Sequence, residues 1–228
     1  MGRREQGKQE RRERILDAAE AMIRRDRKVA FSMRELAKSA DVSFVTPFNL
    51  LGSKAGVLVA LLERSMESRF AALAEMRDED PIERIFVLGD GSVRVYAEDE
   101  AFARPLIRAL MNAPDEAASE SRLLEGATAL WKQALTDGAA ERLLRPGVNV
   151  DLVARQLHVQ FRGGLMLWAT GEIDGNGWLL QFRYGIALAL LAAVKGSLRS
   201  RLRDRLTEVE GELAEHLDRE DPLHQTAA

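Results

Sequence analysis

Apolar residues recur three and four positions apart along most of the 228-residue chain, and no long stretch alternates between apolar and polar residues. This spacing is typical of helices that bury one face. The chain is therefore predicted to be all-α, with almost no strand. The predicted helices cover about residues 10–25, 32–40, 43–51, 53–76, 81–98, 101–112, 118–143, 150–170, 176–194 and 198–218.

The segment 31–40 carries strong signals for the start of a helix. Ser32 can cap the helix through its hydroxyl, and Glu35 can reach back to the Ser32 N–H, which completes a capping box. Phe31 and Leu36 stand where the two apolar residues of a hydrophobic staple are found. A short helix is thus predicted to begin at Ser32.

A second short helix is predicted immediately after the first. Asp41 stands where the chain must turn in a left-handed conformation, which Asp tolerates better than most residues. Ser43 is then expected to cap a helix over residues 43–51. Small Ala37 lets the backbones approach closely, and the apolar contacts that lock the two helices come from Leu36, Ala40, Val42 and Leu50. Such a pair has the shape of a DNA-reading module, whereas an ordinary helical hairpin is the alternative interpretation.

The order of these features resembles the tetracycline-repressor (TetR) family of transcriptional regulators over residues 11–64. The matching residues are Ser32, Leu36, Ala37, Ala40, Val42, Ser43, Thr46, Gly52, Ser53, Lys54 and Leu58, preceded by a helix at residues 11–25. Asp41, Pro47, Phe48 and Leu51 depart from the family pattern. The resemblance implies a three-helix helix-turn-helix domain followed by a helical-bundle domain for ligand binding and dimerisation.

Pro47 is the departure with the clearest physical consequence. With Ser43 as the cap, Pro47 would be the fourth helical residue and would lose about one backbone hydrogen bond. The second helix is therefore predicted to be irregular there. Pro47 and Phe48 also keep an alternative open. In it, the chain is a helical ligand-binding or interaction protein whose N-terminal helix-turn-helix region, which we call the head, is degenerate and does not read DNA.

The resemblance and the helix-turn-helix pattern together assign DNA contacts to individual residues. Phe44 and Val45 cannot donate hydrogen bonds, so they are expected to touch thymine methyl groups. Lys54 opens the next helix, whose N-terminal N–H groups favour phosphate. The residues assigned to base edges are Arg34, Phe44, Val45, Thr46 and Asn49. Those assigned to phosphates are Ser32, Ser43 and Lys54, and Phe48 replaces a family tyrosine whose hydroxyl meets phosphate.

Charge is distributed unevenly along the chain, which has a formal net charge of −3. Residues 1–64 hold 14 Lys and Arg against 9 Asp and Glu, whereas residues 65–228 hold 19 against 27. A basic head on an acidic body places the attraction for phosphate at one end. We therefore predict a DNA-binding domain at 1–64 with a disordered tip at 1–9, a C-terminal domain at 65–219, and a flexible tail at 220–228.

Aromatic and sulfur-containing residues concentrate in the predicted C-terminal domain, where they most simply form its core. The resemblance implies that some of them line an effector pocket. Because they are largely apolar, a hydrophobic or aromatic effector is favoured. The candidate ligand-binding residues are Tyr96, Phe102, Met111, Trp131, His158, Phe161, Met166 and Trp168.

The helix predicted at 176–194 is apolar on nearly all faces between residues 179 and 191, so both sides need cover. The resemblance implies that the last two body helices form a four-helix interface in a homodimer. The candidate interface residues are Val153, Leu157, Leu180, Tyr184, Leu188 and Leu191. The final helix, 198–218, could pack on its own chain or on a partner.

Enzyme chemistry finds little support in the residues. The chain has no cysteine, which excludes disulfides and suits a reducing cytoplasm, and its three histidines are too scattered for a metal cluster. No cofactor or metal is expected. No membrane span is expected either, since the longest apolar run, residues 185–194, is too short to span a bilayer. The expected partners are operator DNA, a small apolar effector and a second copy of the chain.

Overall fold

The computed structural model describes residues 2–75, 80–112 and 117–220, and the regular structure in these ranges is helical. The one β-bridge found there is isolated and joins Leu144 to Val194. The prediction of an all-α fold is confirmed. The helices are α1 (Arg3–Asp26), α2 (Met33–Ser39), α3 (Val45–Leu51), α4 (Lys54–Glu75), α5 (Pro81–Ala97), α6 (Glu100–Met111), α7 (Ala117–Ala140), α8 (Val150–Thr170), α9 (Gly175–Ala193) and α10 (Arg199–Glu220), with a 3₁₀ turn at Gly196–Leu198.

Two compact units divide the chain. The first unit contains Met1–Arg69 and Glu98–Leu123, and the second unit contains Phe70–Ala97 and Leu124–Ala228. The first unit therefore includes α6 in addition to α1, α2, α3 and the first part of α4. The domain boundary predicted after residue 64 stays a prediction.

Helix α1 begins earlier than its sequence pattern suggested. The segment predicted to be a disordered tip, residues 1–9, is helical from Arg3 onward, with Gly2 at the N-cap position. Polar pairs along its surface support this first part, since Gln9 Nε2 donates to Glu13 Oε1 at 2.7 Å. The predicted flexible tail at 220–228 lies outside the described residues, apart from Glu220 at the end of α10.

The core of the first unit forms where α1 packs against its neighbours. Ile15, Leu16, Ala19 and Ile23 are fully buried along one face of α1. On the surface beside them, Arg64 of α4 donates to three α1 carboxylates, those of Glu13, Asp17 and Glu20, at 3.2, 2.7 and 2.7 Å. Burial therefore holds α1 within the unit, and the Arg64 ion pairs fix it to α4.

In the second unit, α9 is covered by helices of the same chain. It packs against α5, α8 and α10. Helix α10 buries Leu202, Val209 and His216, whereas Leu217 is exposed. His216 Nε2 lies 3.2 Å from the carboxylate of Asp174, the residue that caps α9. The final helix therefore packs on its own chain and provides the cover that the apolar character of α9 demands.

No single helix among the described residues is long and apolar enough to cross a membrane. The bent pair formed by α3 and α4 meets that criterion only when its two arms are counted together.

Candidate nucleic-acid interface and ligand site

Helix α2 begins with the capping box that the sequence predicted. The Glu35 N–H donates to Ser32 Oγ at 3.2 Å, and the Ser32 N–H donates to Glu35 Oε2 at 2.7 Å. The backbone hydrogen bond from Ser32 lowers the pKa of the Glu35 carboxyl, because it stabilises the charged form. Phe31 and Leu36 are both buried, as expected for the staple.

The turn between α2 and α3 closes through a left-handed residue, as predicted. Asp41 has a φ of 51°. The Val42 N–H donates to the Ala37 carbonyl at 3.0 Å, and the Asp41 N–H donates to the Lys38 carbonyl at 3.3 Å. This pair of bonds is a Schellman motif, which satisfies carbonyls at the end of α2.

The start of α3 differs from the prediction, and the difference changes the effect of Pro47. Phe44 occupies the N-cap position, while the Ser43 hydroxyl lies 2.7 Å from the Thr46 hydroxyl. Pro47 is therefore the third helical residue, in the first turn, where a backbone N–H has no partner within the helix. The predicted loss of a hydrogen bond was wrong, because Pro47 removes a donor that the helix does not use.

Large apolar side chains lie exposed on α3. Phe44, Val45 and Phe48 are 47%, 55% and 41% exposed. The rings of Phe44 and Phe48 meet edge to face with centroids 5.4 Å apart, and the Arg34 guanidinium lies 5.5 Å from the Phe44 centroid. We call Arg34, Phe44, Val45, Phe48 and the exposed Asn49 the reading face. Exposed apolar surface of this kind is typical of an interaction site.

Lys54 begins α4 but is held by its own unit. Its Nζ donates to the Val29 carbonyl at 3.3 Å and lies 5.0 Å from the centroid of the Phe31 ring. Partial burial lowers the pKa of its ammonium group, while the nearby Glu35 carboxylate opposes that change. Ser53 caps the helix by accepting from the Gly56 N–H at 3.0 Å. The phosphate contact assigned to Lys54 stays a prediction.

Six aromatic side chains of the second unit form one buried cluster. Neighbouring ring centroids lie 5.1 to 5.9 Å apart, and Trp168 stacks on Trp178. The members are Tyr96, Trp131, Phe161, Trp168, Trp178 and Phe182. The structure thus brings together four of the predicted ligand-binding residues. Sequence reasoning missed Trp178. Gly164 of α8 allows the Trp178 ring to approach closely, because a Cβ at residue 164 would lie 2.2 Å from Trp178 Cδ1.

The remaining predicted ligand residues lie elsewhere. Phe102 and Met111 belong to α6 in the first unit, where the Arg24 guanidinium lies 4.6 Å from the Phe102 centroid. His158 Nδ1 lies 2.6 Å from the Thr128 hydroxyl. Met166 is exposed on α8. The sequence pattern located these residues on helices but could not indicate which side of each helix faces inward.

An open cavity of about 360 Å³ lies in the second unit between the end of α4, α5 and α7. Leu73, Leu88 and Leu130 contribute apolar walls. At its polar edge, Arg84 and Gln133 both donate to the Asp137 carboxylate, at 2.7 and 2.8 Å. The lining of this cavity is thus divided between apolar and polar side chains.

The candidate interface residues divide between the core and the surface. Leu157 and Leu180 are buried within the chain, Val153, Tyr184 and Leu191 are half-buried, and Leu188 is exposed. Other apolar residues are more exposed: Leu152, Val159 and Met166, which are 63%, 55% and 48% exposed and recur every seventh position on α8. We call these three residues and Gly163, which lies between them, the outer α8 face. A Cβ at Gly163 would meet nothing within 4 Å.

Comparisons with known proteins agree with this architecture. No protein-family profile matches the chain. The HTH-type transcriptional repressor KstR of Rhodococcus jostii is 29% identical over 165 residues, which are 71% of this chain and 74% of KstR. A TetR transcription regulator from Haloarcula marismortui has a TM-score of 0.64 at 18% identity, covering 81% of this chain and 98% of that one. SmeT, the repressor of the Stenotrophomonas maltophilia efflux pump SmeDEF, has a TM-score of 0.60 at 21% identity, covering 81% and 91%.

A capped helix-turn-helix with an exposed second helix has the shape of a DNA-reading module. The sequence motif at residues 31–54, the KstR similarity and the shared fold agree on one family. The chain is similar to TetR-family transcriptional regulators in its helix-turn-helix motif and in its fold.

Proposed function

We propose that the chain is a homodimeric repressor that binds a near-palindromic operator through the reading face and leaves it when a small apolar effector binds the second unit. The observation that carries the proposal is the exposure of Phe44, Val45 and Phe48 on α3. Three large apolar side chains at the surface of a short helix are unfavourable in water unless a partner covers them. The relative KstR is itself a transcriptional repressor.

The chemistry of the reading face suits direct reading of bases. Phe44 and Val45 offer apolar contact to thymine methyl groups, while Asn49 can pair with adenine through two hydrogen bonds. Arg34 offers the donors that guanine accepts. Ser32, Ser43 and Lys54 are the proposed phosphate contacts, and Thr46 stays a proposed base contact beside Ser43. These groups lie on one unit, so they can act on one half-site.

The outer α8 face supports dimerisation. Its exposed residues recur at a seven-residue interval, which places them along one line of the helix. Leu188 of α9 adds a further exposed apolar side chain. In a twofold-symmetric dimer, the outer α8 face of one chain would pack against the outer α8 face of the other. Two recognition helices would then lie about 34–36 Å apart and bind a near-palindrome.

The second unit offers two features for an apolar effector. The cavity beside Leu73, Leu88 and Leu130 is open, and the buried aromatic cluster provides apolar surface in the same unit. The structural relative SmeT has been solved with triclosan, and the relative FadR of Bacillus subtilis has been solved with stearoyl-CoA. An effector releases DNA only if it binds a conformation of the protein that does not fit the operator.

The test is a selection from random duplex DNA with the full chain at moderate salt. We expect enrichment of two half-sites related by twofold symmetry, with thymine at positions contacted by Phe44 or Val45. Phe44→Ala should then reduce retention of the selected site. Leu217→Ala, a similarly exposed position on α10, is the matched control and should not. Enrichment of no sequence would refute operator binding and favour a head that does not read DNA.

A further inference from the structure

A cationic recess of about 300 Å³ lies in the first unit, where the end of α1 faces α6. Arg27 and Lys28 line it from the end of α1, and Arg104 and Arg108 line it from α6. Val29 and Pro105 contribute apolar surface. The residues that line this α1–α6 recess include no carboxylate. Neither the reading face nor the second-unit cavity includes any of these side chains.

Arginines close to the recess form salt bridges with carboxylates of the same chain. Arg24 donates to Asp99 at 3.1 and 2.7 Å, and Arg25 donates to Asp26 at 2.7 and 2.8 Å. Arg104 pairs with Glu100 at 3.0 Å. Arg27, in contrast, forms no salt bridge within the part of the chain that the structure describes. The Arg27 guanidinium therefore adds positive charge to the recess that no described salt bridge offsets.

Two features of the lining cations are energetically unfavourable unless an anion binds between them. Arg104 and Arg108 lie one helical turn apart on α6, where like charges repel. Arg27 stands at the C-cap of α1 with a φ of 51°, in the left-handed region. Glycine is the low-energy residue at such a position, since a Cβ is strained there. The chain thus keeps a long cationic side chain at a position where it is conformationally unfavourable.

We propose that the α1–α6 recess binds a small phosphate-bearing molecule. The guanidinium groups of Arg27 and Arg108 can each donate two parallel hydrogen bonds to phosphate oxygens, which a planar guanidinium does better than an ammonium group. Arg104 adds charge beside its pair with Glu100. Lys28 adds charge. Val29 and Pro105 offer surface to an apolar part of the same ligand. A recess with walls from two helices and an apolar surface suits a small molecule better than the exposed backbone of duplex DNA.

The test is titration of the full chain with inorganic pyrophosphate, followed by calorimetry at constant ionic strength. We expect saturable binding of one pyrophosphate per chain. Arg27→Gln combined with Arg108→Gln should weaken binding roughly tenfold or more, because two of the donors are lost. The control is Arg199→Gln combined with Arg203→Gln, which removes the same charge from exposed positions of α10 and should leave the affinity unchanged. Circular dichroism shows whether each variant remains folded.

A second variant separates the ligand role of Arg27 from a structural one. Arg27→Gly relieves the left-handed strain, so it should raise the melting temperature while weakening pyrophosphate binding. A fall in melting temperature on this change would assign Arg27 to the fold and contradict the proposal.

Three results would overturn the proposal. Absence of saturable binding would remove the site, and an equal loss in the α10 control would reduce it to general charge attraction. Loss of DNA retention in the Arg27 and Arg108 variant, without any pyrophosphate binding to the parent chain, would make the recess a DNA backbone contact. Because the titration contains no DNA, its outcome is independent of whether the operator proposal holds.

Discussion

Replacing Gly163 with alanine tests the outer α8 face, because the structure predicts effects of opposite sign on the chain and on the dimer. Gly163 lies within α8, and a Cβ there would meet nothing within 4 Å. Glycine inside a helix is unfavourable, and no contact within the chain explains its presence here. Close approach of a partner helix would explain it, since only glycine leaves the backbone uncovered.

The magnitudes follow from these two environments. In the isolated chain, Gly163→Ala should stabilise the folded state by about 0.5–1 kcal/mol, the usual difference between glycine and alanine inside a helix. At a packed seam, one added methyl group typically costs about 1–3 kcal/mol through overpacking. The dimer dissociation constant should therefore rise by roughly tenfold or more.

Two other glycines provide matched controls. Gly211 of α10 also has open space around its Cβ position, so Gly211→Ala should stabilise the chain without affecting association. Gly164 has no free space at its Cβ position, since a Cβ there would lie 2.2 Å from Trp178 Cδ1. Gly164→Ala should therefore destabilise the chain.

Sedimentation equilibrium measures the dimer, and urea unfolding at several protein concentrations separates chain stability from association. A Gly163→Ala chain that is more stable and dimerises as tightly as the parent would refute the reasoning and place the interface elsewhere.

Further predictions concern the head and the effector. Lys54→Ala should weaken binding to all DNA sequences about equally and lower the salt slope by about one unit, whereas Arg34→Ala should cost about 1–3 kcal/mol at one base position; salt titrations that do not distinguish them would contradict these assignments. Asp41→Gly should raise the free energy of unfolding by roughly 0.5–1 kcal/mol, because it relieves a φ of 51°, and a decrease in urea unfolding experiments would argue against that. An apolar effector that changes Trp131 fluorescence should bind about 5–150-fold more weakly with operator DNA present, and equal affinities would exclude ligand-controlled release.

The start of α2 and the turn after it could be predicted because both depend on neighbours in sequence. The capping box involves only Ser32 and Glu35, and the left-handed turn at Asp41 is closed by bonds to Ala37 and Lys38. Such interactions form within a few residues, so no knowledge of distant packing is needed.

The surfaces of α8 and α9 could not be predicted in the same way. Helical periodicity indicates that α9 needs cover, but it does not identify the cover, which is α10 of the same chain. On α8, Leu157 is buried within the chain and Met166 is exposed, and helical periodicity alone indicates neither. Their assigned roles at the interface and in the pocket stay predictions. An apolar helix with two candidate faces has no preferred orientation until its neighbours are placed.

The position of Pro47 bears directly on whether the head can read DNA. The start of α3 at Val45 places Pro47 in the first turn, so the departure from the family pattern costs no helical hydrogen bond. The same start puts Phe44 and Phe48 four residues apart on one face, where their rings meet edge to face beside Arg34. Pro47 therefore does not argue for a degenerate head. Phe48, another departure, lacks the hydroxyl of the family's tyrosine but supplies exposed apolar surface next to the proposed base-reading residues.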